Sequence, residues 1–276
     1  MKRIITGAVL IALVAALIYF DILWLITAIA ALVALLAALE LRNLAAETGA
    51  PVPLWWVVVA VGLFFAVSAS RPFEPITAVS FLTLLLFAWT TFRAPLDRVL
   101  PSTAAGVFLL IYIAYPLSLI PRILAFDEGT VLLVFLFLCV WCGDIAALYV
   151  GKALGRHKLA PAISPNKTWE GAIGSIAGSV VFGLAFIFLV NWLATRGLGY
   201  TRLATTEPWW QFLLLAILLN IAAQIGDLLE SAVKRGVGVK DSGTLLPGHG
   251  GILDRVDALL MAAPVLWFVL VLREAF

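Results

Sequence analysis

The sequence predicts an all-α integral membrane protein with about nine transmembrane helices. Three observations predict it. Mean hydropathy is +1.10. Hydrophobic residues make up 63% of the chain and charged ones 12%, against about 45–50% and about 25% in soluble chains. The apolar residues also recur as runs long enough to cross a hydrocarbon core of about 30 Å as helices.

In order, the runs fall at roughly 4–20, 22–39, 54–70, 75–92, 102–120, 130–150, 171–194, 209–230 and 255–272. Only Asp21 parts the first two. One helix across both would be about 54 Å long, too long for the core, so two passes are expected. Met1-Lys2-Arg3 before an apolar run also suits a secretory signal peptide. More hydrophobic sequence follows it, however, which favours a retained first anchor. Connections are short, and no repeat or low-complexity linker stands out. The expectation is one polytopic membrane domain over 1–276, with N-terminal helices in 1–130 and the chemistry in 131–276. Cys139 and Cys142 form a C-x-x-C pair. No second pair completes a zinc site, and small packing residues in a membrane helix are expected.

Nine passes sort the connections onto two sides. The N-terminal side carries 13 Lys and Arg, among them Arg42, Arg93, Lys152, Lys167 and Lys234, against five on the other. The positive-inside rule puts that side in the cytoplasm.

The few charges are concentrated. Ser231 to Asp257 holds Lys234, Arg235, Lys240, Asp241, His249, Asp254, Arg255 and Asp257 within 27 residues. Upstream, Asn220, Gln224, Asp227, Ser231 and Lys234 follow at steps of four, three, four and three, which is one helical face. Glu230 lies close to it. In lipid such groups face a bundle interior or a water-filled cavity. Hydrogen bonding between helices suits Asn220 and Gln224. Asp227 and Glu230 repel each other unless a cation sits between them. Asp254 and Asp257, three apart, are neighbours at the start of the next helix, where acidic residues are also favoured by the helix end itself. Four carboxylates on the facing ends of two consecutive helices would enclose one or two divalent cations. Hard oxygen ligands point to Mg²⁺. In the loop, Gly248, Gly250 and Gly251 flank His249 and let backbone amides approach a ligand. Lys234, Arg235 and Lys240 add the positive charge that phosphates need.

A second charged segment follows Asp144, an acidic residue near the end of the run 131–150 and a functional candidate by its depth. Residues 151–171 carry Lys152, Arg156, His157, Lys158 and Lys167. Ser164-Pro165 reads as a helix N-cap with proline at the first helical position. That would put Lys167 in a first turn able to hold an anion. Anchoring to anionic headgroups is the alternative reading of the basic residues, and Trp169 is more simply an interfacial anchor.

These residues carry a resemblance. Ser231, Lys234-Arg235, Lys240-Asp241, Pro247, His249-Gly250-Gly251, Asp254-Arg255 and Asp257 stand in the spacing of a signature. It resembles that of the phosphatidate cytidylyltransferases, the CDP-diacylglycerol synthases. Gly155 to Leu159 and Ser164 to Gly171 are similar to that family's second motif. Where the family commonly has Thr after the intramembrane Asp and Tyr four residues on, this chain has Ile145 and Leu148, with Tyr149 one place later. Residues 1–130 match only in being hydrophobic. The resemblance implies a nucleotidyltransferase of phospholipid biosynthesis that makes CDP-diacylglycerol and pyrophosphate from CTP and phosphatidic acid, with Mg²⁺, one or two ions.

The resemblance also implies site residues. Asp227 and Asp254 would be the principal metal ligands, with Glu230, Asp257 and Asp144 in support. Lys234 and His249 would join the two aspartates in catalysis. Lys158, Ser164, Lys167, Ser231, Arg235, Lys240 and Arg255 would bind substrate. The expected setting is a polar, cytoplasm-facing active-site cavity in the cell inner (plasma) membrane. Membrane lipid is then a partner, nucleic acid is not, and a homodimer is compatible. Two other readings compete: a cytidylyltransferase for another lipid phosphate, and a transporter with a carboxylate ion pathway near midplane. Charges clustered at one membrane face speak against the transporter. The Asp-Gly motif of CDP-alcohol phosphotransferases is absent.

Overall fold

The computed structural model of the protein describes residues 22–68, 75–198, 203–245 and 250–275. Among them, seven helical stretches are long and apolar enough to cross a membrane, and a shorter apolar helix covers Leu54–Val67. This is the architecture of a multi-pass, all-α membrane protein. In chain order the helices are α1 (Leu23–Glu47), α2 (Leu54–Ser68), α3 (Pro75–Arg93), α4 (Leu96–Leu109), α5 (Tyr115–Leu124), α6 (Gly129–Leu154), α7 (Trp169–Thr195), α8 (Trp209–Gly236) and α9 (Leu253–Ala275). Eight of the nine apolar runs reappear as helix. The run 4–20, and with it the expected two-pass hairpin, lies outside the described residues.

Two differences from the sequence reading matter for the site. Helix α1 does not stop with its apolar run at 39 but continues through Glu40 and Arg42 to Glu47. Residues 158–168 form a two-stranded antiparallel hairpin, β1 (Lys158–Ala160) and β2 (Ser164–Thr168), pairing Lys158 with Thr168 and Ala160 with Ser164. Ser164 is therefore a strand residue and not a helix cap. The cap of α7 is Thr168, extended at φ −130°, whose Oγ1 accepts the Gly171 N–H at 3.1 Å. Lys167 then precedes the helix instead of sitting in its first turn. Glu170 fastens the hairpin base: its carboxylate accepts the N–H of Arg156 and of His157 and meets His157 Nδ1 at 2.6 Å.

The chain divides into two compact units. The first comprises the described residues of Met1–Arg122 with Val233–Val256. Its interior is held by Trp56, fully buried on α2, whose Nε1 donates to the Leu82 carbonyl of α3 at 3.1 Å. Gly106 of α4 lies so close to Leu86 and Trp56 that a Cβ there would overlap Leu86. Between α4 and α5 the backbone opens into a π-helical turn, Leu110–Ala114. Pro116 follows it, and its missing N–H removes one rung of the α-helical ladder.

The second unit comprises Ile123–Ala232 and Asp257–Phe276. Its packing rests on small residues. Gly171, Ser175, Ser179 and Gly183 recur every four residues along α7, and all are buried. Such a stripe lets helix backbones approach closely in a membrane. Gly174 and Gly178 sit directly against Val150 and Ala146 of α6. Cys139 is buried there, and the carbonyl of that residue accepts from Ser179 Oγ at 2.5 Å. At the end of α9, Arg273 pairs with Glu207 and lies 3.8 Å from Glu128.

A Cβ on Gly143 would come within 2.6 Å of Ser179 Oγ and nearer still to Asn220 Nδ2. Gly143→Ala is therefore expected to cost about 1–3 kcal/mol by overpacking. A lowered thermal midpoint of the purified protein in detergent is the check, and an unchanged midpoint would contradict this account of the packing.

Candidate active site

The polar seam of α8 is real and has two parts. Asn220, buried, donates from Nδ2 to Ser175 Oγ at 2.9 Å and Ser179 Oγ at 2.7 Å. Gln224 Nε2 donates to Asn220 Oδ1 at 2.6 Å and to the Ala172 carbonyl at 3.2 Å. These two residues bolt α8 to α7. One turn further on the seam turns ionic. Asp227 Oδ2 meets Lys167 Nζ at 2.6 Å, and Ser231 Oγ donates to Asp227 Oδ1 at 3.4 Å. Asp144 of α6 interacts electrostatically with both Asp227 and Lys167. The second unit thus gathers Asp144, Lys167, Asp227 and Ser231, which reach it from α6, the end of β2, and α8.

The first unit gathers a different set. Lys234, buried near the end of α8, places Nζ 2.5 Å from Asp254 Oδ1, and both side chains are about nine-tenths buried. The other oxygen of Asp254 accepts Gly251 N–H at 2.7 Å, Ser242 N–H at 3.1 Å and Ser242 Oγ at 3.0 Å. Asp254 stands in the first turn of α9 and reaches back to amides that lie outside the helix. Gly250 enters this turn at φ +77°, where an L side chain is strained, and its Cβ would meet Asp254 Oδ2 at 2.6 Å. Gly250 and Gly251 therefore lie directly against the Asp254 carboxylate.

The remaining sequence candidates are placed as follows. Glu230 is buried on α8. Asp257 Oδ1 accepts the Ala258 N–H at 2.8 Å within α9. Arg235 is exposed and donates from Nη1 to the Val239 carbonyl at 2.8 Å, closing the C-terminal end of α8. Lys240 and Arg255 are exposed, and so is Lys158, on β1. Ser164 is part of the hairpin. His249 and Pro247 lie outside the described residues. Among those residues no three His, Cys, Asp or Glu side chains converge as a metal-ligand group. Asp227 and Asp254 each face a lysine.

One residue escaped the sequence reading. Glu40 of α1 is buried, and its carboxylate accepts Ser242 Oγ at 2.8 Å, Ile252 N–H at 2.9 Å and Leu253 N–H at 2.9 Å. The available signal was an acidic residue at the end of an otherwise apolar run, a functional candidate by default in a membrane helix. Its partners, more than 200 residues away, carried no signal.

Each unit thus sets a lysine against a carboxylate, and the first adds backbone amides and a second buried carboxylate; cations, hydrogen-bond donors and hard oxygen ligands are the groups that polyanionic phosphates bind. Comparison with known proteins agrees in kind. The phosphatidate cytidylyltransferase of Brucella melitensis is 49% identical over 166 residues, 59% of this chain and 55% of the relative. The protein of that name from Brucella suis is 51% identical over the same shares. That from Staphylococcus haemolyticus is 41% identical over 145 residues, 52% of this chain and 51% of the relative. The matched segments thus span about half the length of these curated relatives. The family model described as the Cytidylyltransferase family matches residues 1–273, nearly the whole chain, and the protein belongs to that family.

Proposed function

We propose that this protein transfers the cytidylyl group of CTP to phosphatidate, yielding CDP-diacylglycerol and pyrophosphate. The observation that carries the reading is the Lys234–Asp254 pair, with Asp254 also held by the amides of Ser242 and Gly251. It sits inside the stretch that resembles the family signature, in a chain whose relatives are named for this reaction. An oxygen of the lipid phosphate attacks the α-phosphorus of CTP in line. The new P–O bond forms as the bond to the β-phosphate oxygen breaks, and pyrophosphate leaves with its electron pair. Such a transfer needs alignment and charge neutralisation more than covalent help from the protein. A phosphate monoester has its second pKa near about 6, so the nucleophile is already ionised at neutral pH and no strong general base is required.

The chain's own residues divide this work. Lys167 and Lys234 each hold a positive charge beside a carboxylate and can turn it toward incoming phosphate oxygens. Arg235 and Lys240 extend the positive surface for the triphosphate, with Lys158, Ser164, Ser231 and Arg255 as further contacts. His249 orients a phosphate or donates to pyrophosphate. Asp227 and Asp254 offer the hard carboxylate oxygens that Mg²⁺ takes, and the ion would displace or share the lysine each now faces. Glu230, Asp257 and Asp144 would support them. When bound, the ion neutralises charge on the phosphates.

The same proposal includes nine spans, the active site on the cytoplasmic side and the cell inner membrane as location. Seven long helical stretches, the shorter α2 and the apolar run 4–20 support the count. The excess of Lys and Arg on one side supports the orientation.

Incorporation of radiolabelled CTP into lipid by the purified protein in phosphatidate mixed micelles tests the reading directly. No incorporation would sink it, and incorporation only with another lipid phosphate would redirect it. Asp254→Asn keeps an oxygen for the turn but removes the charge opposite Lys234. Turnover should fall by a factor on the order of 100 or more, and the thermal midpoint should fall as well because Lys234 loses its buried counter-charge; wild-type activity would remove Asp254 from the site. Lys234→Ala leaves a buried carboxylate without its ammonium. We expect about 3 kcal/mol of lost stability and a raised KM for CTP or phosphatidate, and unchanged KM values for both would contradict the assignment.

A further inference from the structure

We propose that Glu40 is a positioning residue for this reaction: its buried carboxylate holds Ser242 and the Ile252–Leu253 start of α9 on α1 and thereby sets the orientation of Asp254. The effect on turnover rests on the reading above; the holding of the segment does not.

The argument begins with burial. A carboxylate in the interior of a membrane protein is costly unless its oxygens are matched by donors. Glu40 is 6% exposed and receives three. Two are the N–H groups of Ile252 and Leu253, at the very start of α9. Those amides have no carbonyl partner within their own helix and carry its positive end. Glu40 is therefore a cap supplied by a distant helix. Hydrogen bonds to a charged acceptor are roughly twice as strong as neutral ones, so the segment is pinned where it crosses α1.

The third donor connects Glu40 to Asp254. Ser242 Oγ lies 2.8 Å from Glu40 Oε2 and 3.0 Å from Asp254 Oδ2. A hydroxyl has one proton to donate, so two carboxylates share it. Moving or neutralising Glu40 changes what Asp254 receives from Ser242. The backbone is packed onto the same carboxylate: a Cβ on Gly243 would meet Glu40 Oε1 at 2.6 Å, and one on Gly251 would overlap Oε2. Gly251 is also the residue whose N–H is donated to Asp254. Two of the supports of Asp254, the Ser242 hydroxyl and the Gly251 amide, thus lean on Glu40. The described donors to Glu40 are the Ser242 hydroxyl and two helix-start amides, and Ser242 and Gly251 in turn serve Asp254, so its influence runs through Asp254.

The test uses the full-length protein with Glu40→Gln and Ser242→Ala, singly and together. Two readouts are taken: amide hydrogen exchange over Gly251–Asp254, and kcat and KM for CTP in phosphatidate mixed micelles. Glu40→Gln should speed exchange at these amides about tenfold or more while the rest of α9 keeps its protection. It should lower kcat by about 10–100-fold, the cost of a displacement near 1 Å, with KM for CTP changed less than about threefold. Ser242→Ala should lower kcat in the same direction, and the double variant should fall well short of the product of the two. Unchanged exchange in Glu40→Gln overturns the proposal whatever the activity, as does lost thermal stability with unchanged kcat. Independent, multiplying effects overturn the link through Ser242. If Glu40→Gln does not fold, Ser242→Ala decides, because it leaves both Glu40–backbone bonds in place: a reduced kcat supports the link and a wild-type kcat overturns it. If the wild-type protein transfers no cytidylyl group, the proposed reaction fails, and hydrogen exchange still decides whether Glu40 holds the segment.

Discussion

Hydrocarbon offers no hydrogen bonds, so a polar group carried into it must find its partner within the protein. That constraint organises this structure. Asn220 is matched by Ser175 and Ser179, Gln224 by Asn220 and the Ala172 carbonyl. Lys167 stands against Asp227, and Lys234 against Asp254. Glu40 is matched by two helix-end amides and a serine. Where the partners are neutral the contact serves packing. Where they are ionic the same pairing places a carboxylate and an ammonium side by side, a combination that a phosphate ligand can rearrange.

Close approach of backbones makes the neutral pairings reachable. Ser175 and Ser179 are at once members of the small-residue stripe on α7 and hydrogen-bond acceptors for Asn220. Gly143 leaves the room on α6 in which the Asn220 amide sits. In the first unit Gly243, Gly250 and Gly251 do the equivalent for Glu40 and Asp254. Small residues thus do two jobs: they bring elements together, and they clear the volume that carboxylate and amide groups occupy.

Legibility in the sequence followed the range of the interaction. The α8 seam could be read because its residues share one helix and a period of 3.6. That Asn220 and Gln224 are packing residues was readable from their chemistry. Lys167, Asp227, Lys234 and Asp254 were each identifiable as charges in an oily chain. The division of partners was not, because Lys167 lies 60 positions before Asp227 and helix packing decides which meets which. The cap of α7 shows how two local rules compete. Ser164-Pro165 is a good start signal, yet Ser164 is taken up by pairing with Ala160, and Thr168 is left to accept the Gly171 amide. Glu40 showed only as an acidic residue ending an apolar run; its role was illegible because its donors lie more than 200 residues downstream.

By itself the sequence determined the membrane class, the positions of eight apolar helical stretches among the described residues, and the two stretches in which charge collects. Each follows from composition and short-range periodicity, which act within one helix. Only the tertiary structure decided which lysine faces which carboxylate, that residues 158–168 form a hairpin, and that Glu40 caps α9. Those outcomes depend on which backbones come close enough for a buried charge to find its donor, and contacts of that range have no local pattern.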